Sequence, residues 1–281
     1  MKTSNKLLIA FGLALILIPL LGMVYISQVK FKDGGSLEDR TQTTEHFNSP
    51  SSNMTSKAIP TAFSSINIAD AKNMYLSVHL IKDEQTGIKI SNRFKDNVGY
   101  TIDEKGVLQL TIKDVKGSKS NYIQLFIYSK DINQLSLNNV EYLDFHSKID
   151  SLHLDVKKTG TVSMRNKNGM KKLTFNGEDV KSIEFGKDDV KWLSLDLKNS
   201  GFESEDNSYD ELAIRTSGTS TVTIKGDEDQ NQIPQINKLT IHTLDQADVK
   251  FENVKINTCT GSLSDQTKVQ MPAINLKQLF K

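Results

Sequence analysis

The residues most able to do chemistry are three acidic clusters, Asp188-Asp189, Glu203-x-Glu205-Asp206 and Asp227-Glu228-Asp229. Two placed carboxylates suffice for glycoside hydrolysis, and clustered carboxylates hold calcium when a loop spaces them correctly. None of the three follows an EF-hand or a repeat-type calcium loop. The histidines are His46, His79, His146, His153 and His242, and no two stand at H-x-x-x-H spacing. No G-x-S-x-G nucleophile elbow is present. Cys259 is the only cysteine, so it forms no internal disulfide and no thiolate metal site, and it reads as a small core residue. The sequence therefore offers no catalytic residue, no metal site and no cofactor motif, and solvated turn charge is the simpler reading of the acidic clusters. One residue suggests a ligand contact. Trp192, the single tryptophan, shares the parity of Ser194 and is expected to face outward, where Trp commonly anchors a sugar or a protein.

The elements that would carry these residues repeat. Residues 171–200 read KKLTFNGEDV KSIEFGKDDV KWLSLDLKNS, with apolar residues paired two apart at Leu173/Phe175, Ile183/Phe185 and Leu193/Leu195. That spacing puts both side chains on one face of a strand and gives no helical stripe. Asn176-Gly177-Glu178-Asp179 and Gly186-Lys187-Asp188-Asp189 read as the turns between strands. The opening leucines Leu152, Leu173, Leu193 and Leu212 are 21, 20 and 19 residues apart. Val162, Val222 and Val249 each follow an opening Leu by ten residues. A period near twenty with a half-step near ten is a repeat signal.

The pattern predicts an all-β fold, a parallel β-helix or β-solenoid with coils of about twenty residues. In such coils equivalent apolar residues stack inward at about 4.8 Å per coil. Phe175 is then inward with Leu154, Leu195 and Ile214 as coil neighbours. Thr174, Glu184, Ser194, Ala213, Thr240 and His153 face outward. A β-sandwich, whose strands recur at 8–12 residues, is the alternative.

The N-terminus suggests an address. Leu7 to Ile26, LLIAFGLALILIPLLGMVYI, carries no charge. At 1.5 Å per helical residue it matches a bilayer's hydrocarbon thickness of about 30 Å. Gly22-Met-Val is a poor cleavage site, so residues 1–32 are expected to form an uncleaved signal anchor with one transmembrane helix at 7–26. Lys2 and Lys6 favour a cytoplasmic N-terminus, which places the body in the periplasm or outside the cell. Residues 33–60, rich in Ser, Thr and Asn, read as a flexible polar stalk, and 61–281 as the solenoid ectodomain. Net charge is +1 with no basic run, which gives no attraction for nucleic acid.

A phenylalanine-led entry strand (FSSINI), LSVHL, GVLQLTI, NYIQLFIYSKDINQLSL and the later T-G-T-V and S-G-T-S-T-V segments follow in that order. Over residues 62–260 this order resembles the auto-transporter adhesin head GIN domain family of bacterial envelope proteins. The resemblance implies a β-helical extracytoplasmic domain and brings no catalytic residues. The positions that match it best are Gly160, Ser217, Gly218 and Val222, expected to be turn and core positions. The functional expectation is a membrane-anchored, non-catalytic adhesion, binding or envelope scaffold module. Its partners would be the membrane through Leu7–Ile26 and a glycan or envelope protein. The alternative is a carbohydrate-active β-helix enzyme, a polysaccharide lyase or hydrolase.

Overall fold

The computed structural model describes residues 46–113, 122–164, 170–186, 190–227 and 232–280, with isolated positions between 3 and 23. The chain divides into two units, 1–45 and 46–281. In the first, Phe11, Gly12, Leu15, Leu17–Leu20 and Met23 are helical and exposed. Most of the proposed membrane segment, 7–26, lies outside the described residues. Among the described residues no helix is long and apolar enough to cross a membrane.

The second unit is all-β with one terminal helix. Its first strands are β1 (Met54–Ala58), β2 (Ser65–Ile68), β3 (Met74–Lys82), β4 (Gly87–Ser91), β5 (Val98–Ile102), β6 (Val107–Ile112) and β7 (Tyr122–Ser129). Then come β8 (Gln134–Asn138), β9 (Val140–Lys148), β10 (Ser151–Met164), β11 (Lys172–Phe185), β12 (Trp192–Lys198) and β13 (Gly201–Glu205). The last are β14 (Tyr209–Ser217), β15 (Ser220–Lys225), β16 (Gln235–Thr243), β17 (Ala247–Glu252), β18 (Lys255–Ser262), β19 (Lys268–Gln270) and α1 (Ala273–Leu279).

Two parallel ladders run through these strands. The first ladder stacks β6, β2, β8, the first half of β10, the first half of β11, β12, β14, β16 and β18. The second stacks β7, β3, β9, the second halves of β10 and β11, then β13, β15, β17 and β19. Every pair between residues 170 and 225 is parallel, whereas an antiparallel sandwich pairs its strands the other way.

The register explains the repeat. Leu154, Phe175, Leu195, Ile214 and Ile241 form one column, and all are buried. Val162, Ile183, Phe202, Val222 and Val249 form the matching column of the second ladder, equally buried. A residue that faces inward at one level must meet its equivalents above and below, so each level requires the same apolar parity. Thr174, Ser194, Ala213 and Thr240 make an outward column in the first ladder, and Glu184 faces out of the second.

The corner between the ladders is also repeated. Asn139, Lys158, Asp179, Asn199 and Gly218 follow equivalent strand positions and all have positive φ, from 47° to 61°. The backbone at each level must enter the left-handed region, which Asn, Asp and Gly tolerate best. Asn199 Nδ2 donates to Asp179 Oδ1 one level away (3.0 Å), and Asn199 Oδ1 accepts from the Thr219 amide (3.1 Å). Just inside the corner, the Val180 amide donates to Ser200 Oγ (3.0 Å) and the Ser200 amide donates to Ser220 Oγ (3.2 Å). These buried serines satisfy corner amides that no strand reaches.

Two expectations are corrected here. Asn176–Asp179 is not a turn between strands, since β11 runs unbroken through it. Gly177 faces inward, where a Cβ would stand 3.1 Å from the Phe175 ring and 3.3 Å from Leu197, and only the bend at Asp179 breaks the alternation. The ordered body also begins before residue 61. Phe47 is buried, and β1 pairs antiparallel with β4 inside what the composition assigned to the stalk. Strand β1 is polar because it lies at a sheet edge, where its side chains need not enter a core.

Further elements pack at the two ends of the stack. At the first end β5 pairs antiparallel with β6, and β4 with β7. At the other end α1 lies on β18, where Gln278 Oε1 accepts from the Cys259 amide (2.6 Å) and Asn275 Nδ2 donates to the Ile256 carbonyl (2.9 Å). The amide side chains occupy hydrogen-bonding positions that another strand would otherwise take.

Candidate functional site

Of the three acidic clusters the structure describes Glu203, Glu205, Asp206 and Asp227. Asp188, Asp189, Glu228 and Asp229 lie outside the described residues. Glu203 and Glu205 project from β13 toward Lys225 of the next level, at 2.7 and 3.6 Å. With Glu184 they line a shallow depression of about 270 Å³. In the first ladder Glu178 bridges Lys157 and Lys198, 2.9 Å from each. These lysines hold its carboxyl down to about 2. Glu178, Glu203 and Glu205 are thus paired with lysines of neighbouring strands. Among the described residues no group of three His, Cys, Asp or Glu is placed to hold a metal ion.

Trp192 opens β12 on the outer side of the first ladder and is 41% exposed. It sits between Lys172 and Glu211 in its column. His153 is outward as well. Its Nε2 is 3.1 Å from Asp155 Oδ1, and Asn176 Nδ2 reaches both residues, at 3.0 and 2.7 Å. Cys259 is buried, and desolvation pushes its thiol up to about 11, which makes it unreactive at neutral pH. Of the glycines matched by resemblance, Gly218 is a true left-handed corner (φ 61°). Gly160 lies within β10, and a Cβ there would stand 2.2 Å from the Glu141 carbonyl oxygen.

A second cluster was not legible from the sequence. On the outer face of the second ladder, Tyr122, Tyr75 and Tyr142 come from β7, β3 and β9 and stand in one column. Between Met74 and Tyr75 the register against β9 shifts, which aligns Tyr75 with Tyr142. Such an irregularity re-aims a side chain. Tyr75 is 44% and Tyr122 45% exposed. The Tyr75 and Tyr142 ring centroids are 6.0 Å apart with planes tilted by 33°, an aromatic pair within the favourable range.

Four residues along, the same three strands place Phe126, His79 and His146 in a parallel column. The His79 ring stacks on Phe126 at 4.2 Å and on His146 at 4.4 Å. Burial, then the neighbouring His146, bring His79 down to about 3, against an opposing pull from Asp144. His146 Nε2 lies 3.1 Å from Asp144 Oδ2, and Ser77 Oγ lies 3.0 Å from His79 Nε2. Asp144 thus stands between the tyrosine column and the histidine column.

No family model and no curated protein matches the chain. Among solved structures, a putative adhesin from Bacteroides fragilis is similar at 14% identity, with a TM-score of 0.44 over 79% of this chain and 94% of that one. A putative adhesin from Parabacteroides merdae has 14% identity and a TM-score of 0.34, over 79% of this chain and 97% of that one. A putative lipid binding protein from Parabacteroides distasonis has 12% identity and a TM-score of 0.34, over 78% and 93%.

Proposed function

We propose that this protein is a non-catalytic binding or scaffold module of the cell envelope. In this reading the body is a two-sided β-solenoid and Leu7–Ile26 anchors it in a membrane. The observation that carries the solenoid is the pair of parallel ladders sharing one apolar interior, with corner residues repeated at each level. What supports a binding role is the use of the outer faces. Their charged groups pair across levels with opposite charges, so they serve the stack, while catalysis requires acid, base or nucleophile to converge on one reacting atom. The aromatic column and Trp192 instead present surface. What supports export and anchoring is the uncharged run of twenty residues behind Lys2 and Lys6.

The test is retention scored together with turnover. The full chain, solubilised in mild detergent, is incubated with an array of envelope and host glycans. Retention without new reducing or unsaturated ends supports the reading. Catalytic turnover of any glycan overturns it in favour of a polysaccharide lyase or hydrolase. For the anchor, protease added to spheroplasts should digest the chain beyond residue 33. A protected body with an accessible N-terminus would reverse the topology.

A further inference from the structure

The tyrosine column is unlike the rest of its own row. Beyond Tyr142 the equivalent positions are Thr161 and Ser182, with Thr221 farther along the same row. Aromatic rings thus occupy three successive levels and give way to small polar side chains. Tyr75 and Tyr122 are exposed and Tyr142 is half-buried, and none of them serves the interior, which is filled from the opposite parity by Leu76, Ile123 and Leu143.

We propose that Tyr122, Tyr75 and Tyr142 form a stacking platform for an uncharged glycan lying along the axis of the coils. The proposal rests on the binding reading above and assigns it a place and a ligand class. Three observations select a sugar. First, the stripe is one ring wide. A protein hot spot is ringed by contacts that exclude water, and a membrane-facing patch is broad and apolar. Here one flank carries Gln124 and Asp144, in register with Ser77. A pyranose has matching halves, with C–H faces that pack on an aromatic ring and hydroxyls at its rim that reach polar neighbours. Second, successive levels are about 4.8 Å apart, close to the advance of one sugar unit in an extended chain, so consecutive units meet consecutive rings. Third, Glu141 is exposed beside Tyr142 in β9 and Asp144, bonded to His146, lies two residues on, so the column carries negative charge that repels an anionic chain. Tyr75 and Tyr142 are held on strands paired on both sides, so little freedom is lost there on binding.

The experiment is affinity electrophoresis of the full chain in nondenaturing detergent. The gels contain mannan, laminarin or galactomannan as neutral probes, and polygalacturonate or heparin as anionic ones. Retardation by at least one neutral polysaccharide is expected. Tyr75→Ala and Tyr122→Ala should each weaken it about tenfold, and Tyr75→Phe, which keeps the ring, by less than about threefold. If Tyr75→Ala loses its fold, Tyr122→Ala decides alone. The proposal is overturned if no neutral polysaccharide retards the protein, if only polyanions do, or if the alanine variants bind like the parent. Retardation that responds to Trp192→Ala and ignores the tyrosines would refute this platform while leaving a binding module in place.

Discussion

Replacing Phe175 by Ala tests the inward column most sharply. Phe175 has no solvent exposure and stands between Leu154 and Leu195. Its ring also lies against the position a Cβ would take on Gly177, and Leu197 flanks that same point. Truncating a buried Phe costs about 3–5 kcal/mol, with more lost when the surroundings fail to collapse into the cavity. Collapse is difficult here because β11 is hydrogen-bonded to a strand on each side along this stretch. The upper half of that range is therefore expected. The control is Thr174→Ala in the same strand, outward and only partly buried, which should stay within about 0.5 kcal/mol. Urea unfolding of the full chain in detergent, followed by circular dichroism, reads both. Stacked repeats unfold less cooperatively than compact domains, so the transition midpoint is the quantity to compare. Equal shifts for Phe175→Ala and Thr174→Ala would refute the inward and outward assignment.

Other perturbations test the corner, the histidine stack and the cap. Gly218→Ala meets both a positive φ of 61° and a Cβ position 2.0 Å from Asn199 Oδ1, so thermal melting should show a loss above about 1 kcal/mol. Ser200→Ala strips the partner from the buried Val180 amide and should lower the same melting temperature by an amount equivalent to about 1–3 kcal/mol. Burial and the neighbouring His146 bring His79 from its ordinary 6.5 down to about 3 in the fold, so the unfolded chain binds the extra proton between those values. Its contribution is present in full above about pH 6.5 and is lost as pH falls toward 3. His79→Phe should narrow the difference between urea midpoints at pH 7 and pH 4.5, and an unchanged difference would refute that assignment. Gln278→Ala leaves the Cys259 amide without its helix partner and should speed hydrogen exchange at that amide relative to Leu239.

The second half of the body was readable because its code is local. Leu173, Phe175, Ile183 and Phe185 face inward by strand parity, and equivalence along a ladder adds only a shift of about twenty residues. The corner misled because Asn176-Gly177 is a strong hairpin signal, yet Gly177 is there to admit the Phe175 and Leu197 side chains beside it. The first half was not readable because its order in space differs from its order in sequence. β2 and β3 lie between β6–β7 and β8–β9, and no spacing rule encodes that insertion. The tyrosine column is hidden for the same reason. Tyr75, Tyr122 and Tyr142 become neighbours only through that insertion and a register shift. Trp192 was foreseen as outward since its parity depends on one strand alone.

The proposed stack of coils is tested most directly by removing one of them. Leu193 and Leu212 are equivalent positions in adjacent strands, 212 − 193 = 19 residues apart. Deleting residues 191–209 takes out one whole level. It also removes Tyr209 together with Ser204 and Asn207, the buried partners in its hydroxyl network. Leu212 should then pair with Leu173, and Ser220 Oγ should take over the Val180 amide from Ser200. The predicted result is a folded, shorter chain with native-like strand content, a smaller urea m-value because less surface is exposed on unfolding, and unaltered retention at the tyrosine column. Loss of strand content, or an m-value no smaller than the parent's, would contradict a body built from stacked, interchangeable coils.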